Sequence, residues 1–456
     1  MALSIIILAA GQGTRMMSNR PKVLHNLAGK PMLQHVVDTS KSLNPEQIFV
    51  VVGYKSELVE DVMSGQLLHF IKQKDLLGTG HAVAQCISSV KSGNDILVLT
   101  GDVPLVSRGT ISSFLSASKE TDVNVLSFMP SNPYGYGRIV RNSEQAVCAI
   151  LEQKDAGELE QEIIESNSGI IFITGRHVKH LIGLLDNNNA QSEYYLTDVI
   201  KHASLGGFKV DAMICSEADE VNGVNNQLQL SMVERIYQKK LAYRLMSEGV
   251  KVYDPARIDI RGQLTVGKDV VIDINCVFEG VVHLADRVHI GAGCIIKNSQ
   301  IATNTKILPM TMIDDSNIGQ NAVIGPFSRL RPGTECADNT KIGNFVETKK
   351  ASIGAGSKVN HLSYIGDAIL GKDVNIGAGT ITCNYDGANK FQTIIEDDVF
   401  IGSDTQLVAP VTIGQGATIG AGSTITRNTA AHQLTFSRSK QVSISSWQRP
   451  TKIKEV

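Results

Sequence analysis

Two loops, one aspartate and one basic wall of this chain hold side chains suited to chemistry. The first loop reads Gly11-Gln12-Gly13-Thr14-Arg15-Met16 and is followed by Pro21-Lys22. Two glycines let the backbone approach a ligand and aim its N–H groups at phosphate oxygens. Arg15 and Lys22 would complement a triphosphate, and a solvated loop would hold them equally well. Position 16 is Met where a dinucleotide fingerprint needs a third glycine, and the lysine–hydroxyl pair of a P-loop is missing. The second loop, Gln73 to His81, contains Leu77-Gly78-Thr79-Gly80-His81. The aspartate closes Leu99-Thr100-Gly101-Asp102. A carboxylate just past a buried strand suits Mg²⁺, which takes one or two carboxylates plus substrate phosphates. An Asp before Val103-Pro104 also caps a turn, and both readings stand at this point.

The basic wall gathers Arg329, Arg331, Lys349, Lys350, His361, Tyr364 and Asn375. Arg331 and Lys349 are one presumptive coil apart, which stacks two cations into a patch the size of a phosphate. An imidazole of ordinary pKa, about 6.5, accepts an amine proton near neutral pH. A histidine is also commonly a packed or solvated residue, so His361 stays open on its own chemistry.

The elements that must position these groups fall into two halves. Residues 4–9, 47–52, 95–99 and 123–128 are apolar strands, and residues 32–43 and 80–90 between them read as helices. Strands apolar on both faces and separated by helices predict a parallel, doubly covered α/β sheet. Ligands of such sheets sit at the carboxyl ends of the strands, where both loops and Asp102 fall.

From about residue 264 an aliphatic returns every sixth position, usually with glycine after it. Ile290-Gly291, Ile342-Gly343, Ile376-Gly377 and Ile401-Gly402 are examples. A small residue follows four places later, as in Cys294, Val346, Thr380 and Thr405. This is the hexapeptide signature of a parallel β-helix. Burying one Ile stabilises by roughly 1.5–3 kcal/mol, while ordering six residues costs roughly 6–12, so the repeat works only in series. The glycines are expected at tight corners, where a positive φ would strain other residues. The period slips by one residue at several corners, and one gap, Thr382 to Ile395, is far longer. An excursion over residues 383–394 must leave the coil, and such loops tend to carry function. Between the halves, Leu230, Val233, Tyr237, Leu241 and Leu245 mark one face of a connecting helix. The expected divisions are residues 1–226, 227–249 and 250–456.

Composition sets limits. The chain has 456 residues and a formal net charge of −2, which gives no general attraction for nucleic acid. Seven cysteines without a C-x-x-C pair suggest neither a disulfide framework nor a zinc site, and point to a reducing cytosol. The apolar start lacks a basic leader and reads as a strand rather than a signal peptide. No run of 18 apolar residues predicts a membrane span. A cytoplasmic chain without nucleic-acid or membrane partners is expected.

The motifs carry a resemblance. Leu8-Ala9-Ala10-Gly11-Gln12-Gly13-Thr14-Arg15-Met16 with Pro21-Lys22, Leu77-Gly78-Thr79-Gly80 and Gly101-Asp102 resembles the sugar-1-phosphate nucleotidyltransferases. Coupled to a hexapeptide β-helix, almost the whole chain is similar to the bacterial bifunctional N-acetylglucosamine-1-phosphate uridyltransferase/glucosamine-1-phosphate acetyltransferase family. Gly135-Tyr136-Gly137-Arg138-Ile139, Gly223-Val224-Asn225-Asn226 and Gly379-Thr380-Ile381-Thr382-Cys383-Asn384-Tyr385-Asp386-Gly387 match too.

The resemblance implies a Rossmann-like nucleotidyltransferase domain and a left-handed β-helix that trimerises, with the acetyl site between subunits. It implies that Leu8, Ala9, Ala10, Gly11, Gln73, Gly78 and Thr79 hold uracil and ribose, and that Lys22 faces the phosphates. Gly137, Glu152 and Asn167 would hold the sugar, and Asp102 with Asn225 would share Mg²⁺. His361 would be the general base for glucosamine-1-phosphate, held by Arg331, Lys349, Tyr364 and Asn375. Ala378, Asn384, Tyr385, Ser403, Ala421 and Arg438 would meet acetyl-CoA; the basic tail from Ser437 reads either as a solvated tail or as help in closing over it. UTP is the other co-substrate, and the product would feed peptidoglycan and lipopolysaccharide synthesis. Thr100, and Ser166 with Ser168 around Asn167, depart from the family pattern near the sugar.

Overall fold

A computed structural model describes residues 2–452; residues 453–456 of the basic tail lie outside them. The chain divides into two compact units at Lys240/Leu241.

The first unit is built on a nine-stranded sheet. Its strands are β1 (Leu3–Ala9), β2 (Gln47–Val52), β3 (His69–Lys72), β4 (Asp95–Thr100), β5 (Val123–Phe128), β6 (Arg138–Arg141), β7 (Val147–Leu151), β8 (Ser166–Ile173) and β9 (Val210–Ile214). The main order is β9-β5-β8-β4-β1-β2-β3, with β6 and β7 as a side ribbon. β1 shows why the apolar runs were legible. Ile5 and Ile7 face one core, against Val36 and Val37 of helix α1 (Met32–Ser42), while Ile6 faces another, against Val83 and Cys86 of helix α2 (Thr79–Ile87). A strand buried on both sides has no polar alternation to show.

The sheet is not wholly parallel, which corrects the expectation. β8 runs antiparallel between β4 and β5. Its polar start, Ser166-Asn167-Ser168-Gly169, hides it from an apolar-run reading, and its register with β5 shifts between Asn167 and Ile170. The reversal has a consequence for the site: Asn167 donates its backbone N–H to Gly137 O at 2.8 Å.

The connecting helix runs Gln227–Ser247 and so crosses the boundary between the units. Val233 packs with Leu27, Met32, Leu105 and Val224, and Glu234 Oε2 accepts from Ala28 N at 2.8 Å. No helix among the described residues is long and apolar enough to cross a membrane.

The second unit is a parallel β-helix. Successive coils pair Ile272 with Ile290, Ile290 with Ile307, Ile307 with Ile324, Ile324 with Ile342, Ile342 with Val359 and Val359 with Ile376. Each step is 17 or 18 residues, three hexads with or without a one-residue slip. Ile376 pairs with Ile401, a step lengthened by the excursion. The small residues of the repeat are buried at the corners, and several of their hydroxyls are satisfied there, although Thr311 Oγ1 has no partner. Ser357 Oγ donates to Gly371 O at 2.8 Å and Thr380 Oγ1 to Gly377 O at 2.7 Å.

Except at Gly325, which has φ 99, the glycines after the aliphatics serve a purpose other than the expected one. Gly291, Gly377 and Gly402 do not have positive φ; left-handed corners are taken by residues such as Asn321, Asp373 and Gly379. A Cβ on Gly377 would sit 2.5 Å from Ser403 N, and one on Gly291 2.8 Å from Pro309 N. These glycines are selected by how closely the next coil's backbone passes. Gly291→Ala should therefore destabilise the fold by about 1–3 kcal/mol, as overpacking does. Gly109→Ala in the helix Arg108–Ala117, where a Cβ meets nothing closer than 3.6 Å, should be neutral or slightly stabilising. Thermal melts of the two variants compare them directly; an unchanged melting temperature for Gly291→Ala would contradict the close-approach account.

Candidate active sites

In the first unit the carboxyl ends of β1 and β4 and the start of α2 open onto one cavity of about 370 Å³. It is lined by Leu8, Ala9, Ala10, Gly11, Lys22, Gln73, Gly78, Thr79 and Asp102, all expected there, together with Leu76, Thr100 and Glu193. Gly78 is held at φ 107, and a Cβ on it would come 2.6 Å from Tyr194 O. Thr79 Oγ1 accepts from Leu196 N at 3.0 Å. The loop is thereby fixed before any ligand enters.

At the cavity's edge Lys22 Nζ forms an ion pair with Asp102 Oδ2 and donates to Asn225 Oδ1 at 3.2 Å. Arg15 Nη2 reaches the same Asn225 oxygen at 2.9 Å. Val224 N donates to Asp102 O at 2.9 Å, which ties the two segments together. Two hard oxygens thus converge on one cation. That donor set fits Mg²⁺, with substrate phosphates supplying further ligands. No group of three or more His, Cys, Asp or Glu able to hold a metal exists among the described residues. Any ion here would depend on its substrate.

Gly137, Glu152 and Asn167 form a neighbouring cluster outside the cavity wall. A Cβ on Gly137 would lie 3.6 Å from both Glu152 carboxylate oxygens. Thr197 Oγ1 donates to Glu152 Oε1 at 3.1 Å, and Asn167 Oδ1 accepts from Gly169 N at 2.9 Å. Thr100 joins the two regions. It lines the cavity, lies 2.9 Å from where a Gly169 Cβ would be, and its buried hydroxyl has no protein partner. Thr197 escaped the sequence reading because its only signal was a place before a helix.

Burial pushes the Glu152 carboxyl above its usual range; the Thr197 hydroxyl opposes this, and Asp155 and Asp198 add to it. A raised carboxyl favours folding when protonated, so that contribution is full below the unfolded pKa, about 4.3, and is lost as pH rises through the folded value. Glu152→Gln keeps an oxygen for Thr197 and removes the charge. Its melting temperature should exceed the parent's at pH 7 and match it near pH 4. An equal difference at both pH values would contradict the burial account.

In the β-helix, Arg329 pairs with Glu347 and Leu330 with Thr348. Arg331 N donates to Thr348 O at 2.9 Å, so Arg331 and Lys349 follow as neighbours on adjacent coils. Arg331 Nη1 also donates to Glu347 Oε1 at 2.7 Å. Lys390 joins them from the excursion. Its ammonium, more than the Arg331 guanidinium, holds the Lys349 ammonium below the usual lysine range. Crowded cations of this kind favour a multiply charged anion. Lys390 was missed because the path of an irregular loop cannot be read from a period.

His361 ends the strand Lys358–His361 and is exposed. Its Nδ1 lies 3.1 Å from Asn344 Oδ1, on the coil before. An amide oxygen accepts, so this contact places the ring proton on Nδ1 and leaves the Nε2 lone pair free. Asn344 was also missed, although it stands one coil from His361 in sequence. The same edge continues through the ladder that pairs Val359, Ile376, Ile401 and Ile419 in turn. Two residues after each of these comes His361, Ala378, Ser403 and Ala421. Of the expected acetyl-CoA positions, Ala378, Ser403 and Ala421 therefore form one column of small side chains beyond the histidine. Arg438 Nη1 donates to Ala421 O at 3.0 Å.

The excursion is shorter than expected. Cys383 pairs with Val408 and Ile394 with Thr412, so the ladder keeps both and only residues 384–392 leave the coil. Asn384 Nδ2 donates to Asp367 Oδ2 at 2.5 Å, and Tyr385 bridges Lys390 across the loop. Tyr364 pairs with Glu347 in the sheet that holds the cations. Asn375 pairs with Lys358 and Phe400, in the same ladder as the His361 strand.

Residues 5–167 match the MobA-like NTP transferase domain family, and residues 392–427 match the bacterial transferase hexapeptide family of six repeats. The chain joins a Rossmann-like nucleotidyltransferase domain to transferase hexapeptide repeats. Among solved structures it is similar to a nucleotidyl transferase from Methanothermobacter thermautotroptrophicus, at 16% identity and a TM-score of 0.40, over 52% of this chain and 99% of that one.

Proposed function

We propose that the protein is a two-site enzyme that makes UDP-N-acetylglucosamine. The β-helix site acetylates glucosamine-1-phosphate with acetyl-CoA. The first unit then transfers UMP from UTP to N-acetylglucosamine-1-phosphate and releases pyrophosphate. The observation that carries this reading is the convergence of the expected nucleotide residues on one cavity that ends at Lys22, Asp102 and Asn225.

Nucleotidyl transfer needs positioning and charge neutralisation more than a covalent nucleophile. Gln73, Gly78 and Thr79 would hold base and ribose while the Gly11 backbone and Lys22 meet the phosphates. Gly137, Glu152 and Asn167 would hold the sugar so that its phosphate oxygen faces the α-phosphorus. Asp102 and Asn225 would hold Mg²⁺, which supplies neutralisation of phosphate charge when bound. In the second site Arg331 and Lys349, with Lys390, would hold the substrate phosphate, and Tyr364 would lie beside it. His361 Nε2 would take the amine proton as the nitrogen attacks the thioester carbonyl, and the C–S bond would break to release coenzyme A, whose sulfur takes up a proton. Ala378, Asn384, Tyr385, Ser403, Ala421 and Arg438 would line the path of acetyl-CoA. We read the protein as a homotrimer whose acetyl site lies between neighbouring copies. We read the protein as cytoplasmic.

Single substitutions should separate the two activities. His361→Ala should slow acetyl transfer by about 10²–10⁴-fold and leave pyrophosphate release nearly intact. Asp102→Ala should largely abolish pyrophosphate release and spare acetyl transfer. Parallel assays of both activities decide it: a joint fall in the His361 variant makes that residue structural, and near-normal turnover of the Asp102 variant with Mg²⁺ removes the metal assignment.

A further inference from the structure

Gln73 is buried and lines the nucleotide cavity. Its Nε2 lies 3.1 Å from Gly78 O and 3.0 Å from His81 Nδ1. A carbonyl oxygen only accepts, so the Gly78 contact fixes which end of the Gln73 carboxamide is nitrogen. The second N–H then points at His81 Nδ1, which must keep its lone pair. The His81 ring proton accordingly sits on Nε2.

Gln85 settles the other end. Its carboxamide lies 3.0 Å from His81 Nε2. A nitrogen facing that atom would leave both ring nitrogens accepting, with no ring proton at all. Gln85 Nε2 also lies 3.4 Å from His81 O, the longest of these contacts; Gln85 is exposed, and inverting it gives up that contact so that its oxygen takes the Nε2–H. Gln85, His81, Gln73 and Gly78 then share one consistent direction of hydrogen bonding. The Gly78 end cannot swing, because the same carbonyl also accepts from Ala82 N at 3.1 Å.

The consequence falls on the ligand. Both Gln73 N–H groups are engaged, and the atom left for a base is Oε1, an acceptor. Uracil offers N3–H to such an acceptor. Cytosine presents a lone pair at the same ring position. We propose that His81 is a positioning residue that locks Gln73 Oε1 toward the base and so selects uracil over cytosine. This rests on the reading of the cavity as a nucleoside triphosphate site.

The test is pyrophosphate release from UTP and from CTP, with N-acetylglucosamine-1-phosphate and Mg²⁺, in the full chain. The parent should prefer UTP. His81→Phe keeps a ring and removes the acceptor, and should narrow the UTP-to-CTP ratio of kcat/KM by at least about 10-fold, since an unpaired polar group is what carries such discrimination. His81→Gln, whose oxygen can accept the same N–H, should restore most of the ratio. If His81→Phe does not fold, His81→Ala is read the same way. A ratio unchanged by loss of the imidazole, or not restored by His81→Gln, overturns the inference, and so does a parent that accepts both nucleotides equally. A parent that releases pyrophosphate from neither nucleotide overturns the reading of the cavity itself.

Discussion

A backbone N–H bonded to the carbonyl of the adjacent coil, as Gly402 N is to Ile419 O at 2.8 Å, sets the geometry of the second half of the protein. The ladder fixes the coil spacing, and the spacing forbids a Cβ wherever one backbone crosses close over the next. It also turns sequence separation into vertical neighbourhood. Side chains 17 or 18 residues apart become stacked pairs, which is how Arg331 meets Lys349 and how Asn344 comes to hold His361. A helix or an ordinary sheet would scatter these residues. Here the fold's own repeat builds the column of small side chains on which a long acyl carrier could lie.

The first unit solves a different problem. Its strands are buried on both faces, so polar work is confined to the loops at their carboxyl ends. Each loop is pinned by another element: Gly78 against Tyr194, Asp102 O against Val224 N, Asn167 N against Gly137 O. The result is a cavity whose donors and acceptors are set in advance, which is the condition for charge-based catalysis. The opposing charges of Lys22 and Asp102 stabilise one another at its edge.

Much of this was legible in the residues. The six-residue period located the buried aliphatics, and the small residue four places on is buried in every coil, as Cys294 and Thr405 illustrate. The apolar strands located the sheet, and the loops after them located the cavity. What was hidden has physical causes. β8 begins with four polar or glycine residues, so neither its presence nor its antiparallel sense could be read from hydrophobicity. The repeat glycines were assigned to positive φ because one chain segment shows turns but not the coil stacked on it. Lys390 and Thr197 reach their sites through irregular loops, whose paths no period records.

The central claim is that two separate sites act in sequence on one sugar phosphate. One incubation tests it: glucosamine-1-phosphate, acetyl-CoA, UTP and Mg²⁺, each omitted in turn, with products resolved by mass. The account predicts UDP-N-acetylglucosamine in the full mixture and N-acetylglucosamine-1-phosphate when only UTP is left out. Without acetyl-CoA no UDP-N-acetylglucosamine should form. Failure of acetyl transfer in the full mixture, with uridylyl transfer to added N-acetylglucosamine-1-phosphate intact, would contradict it and leave the β-helix without a catalytic role.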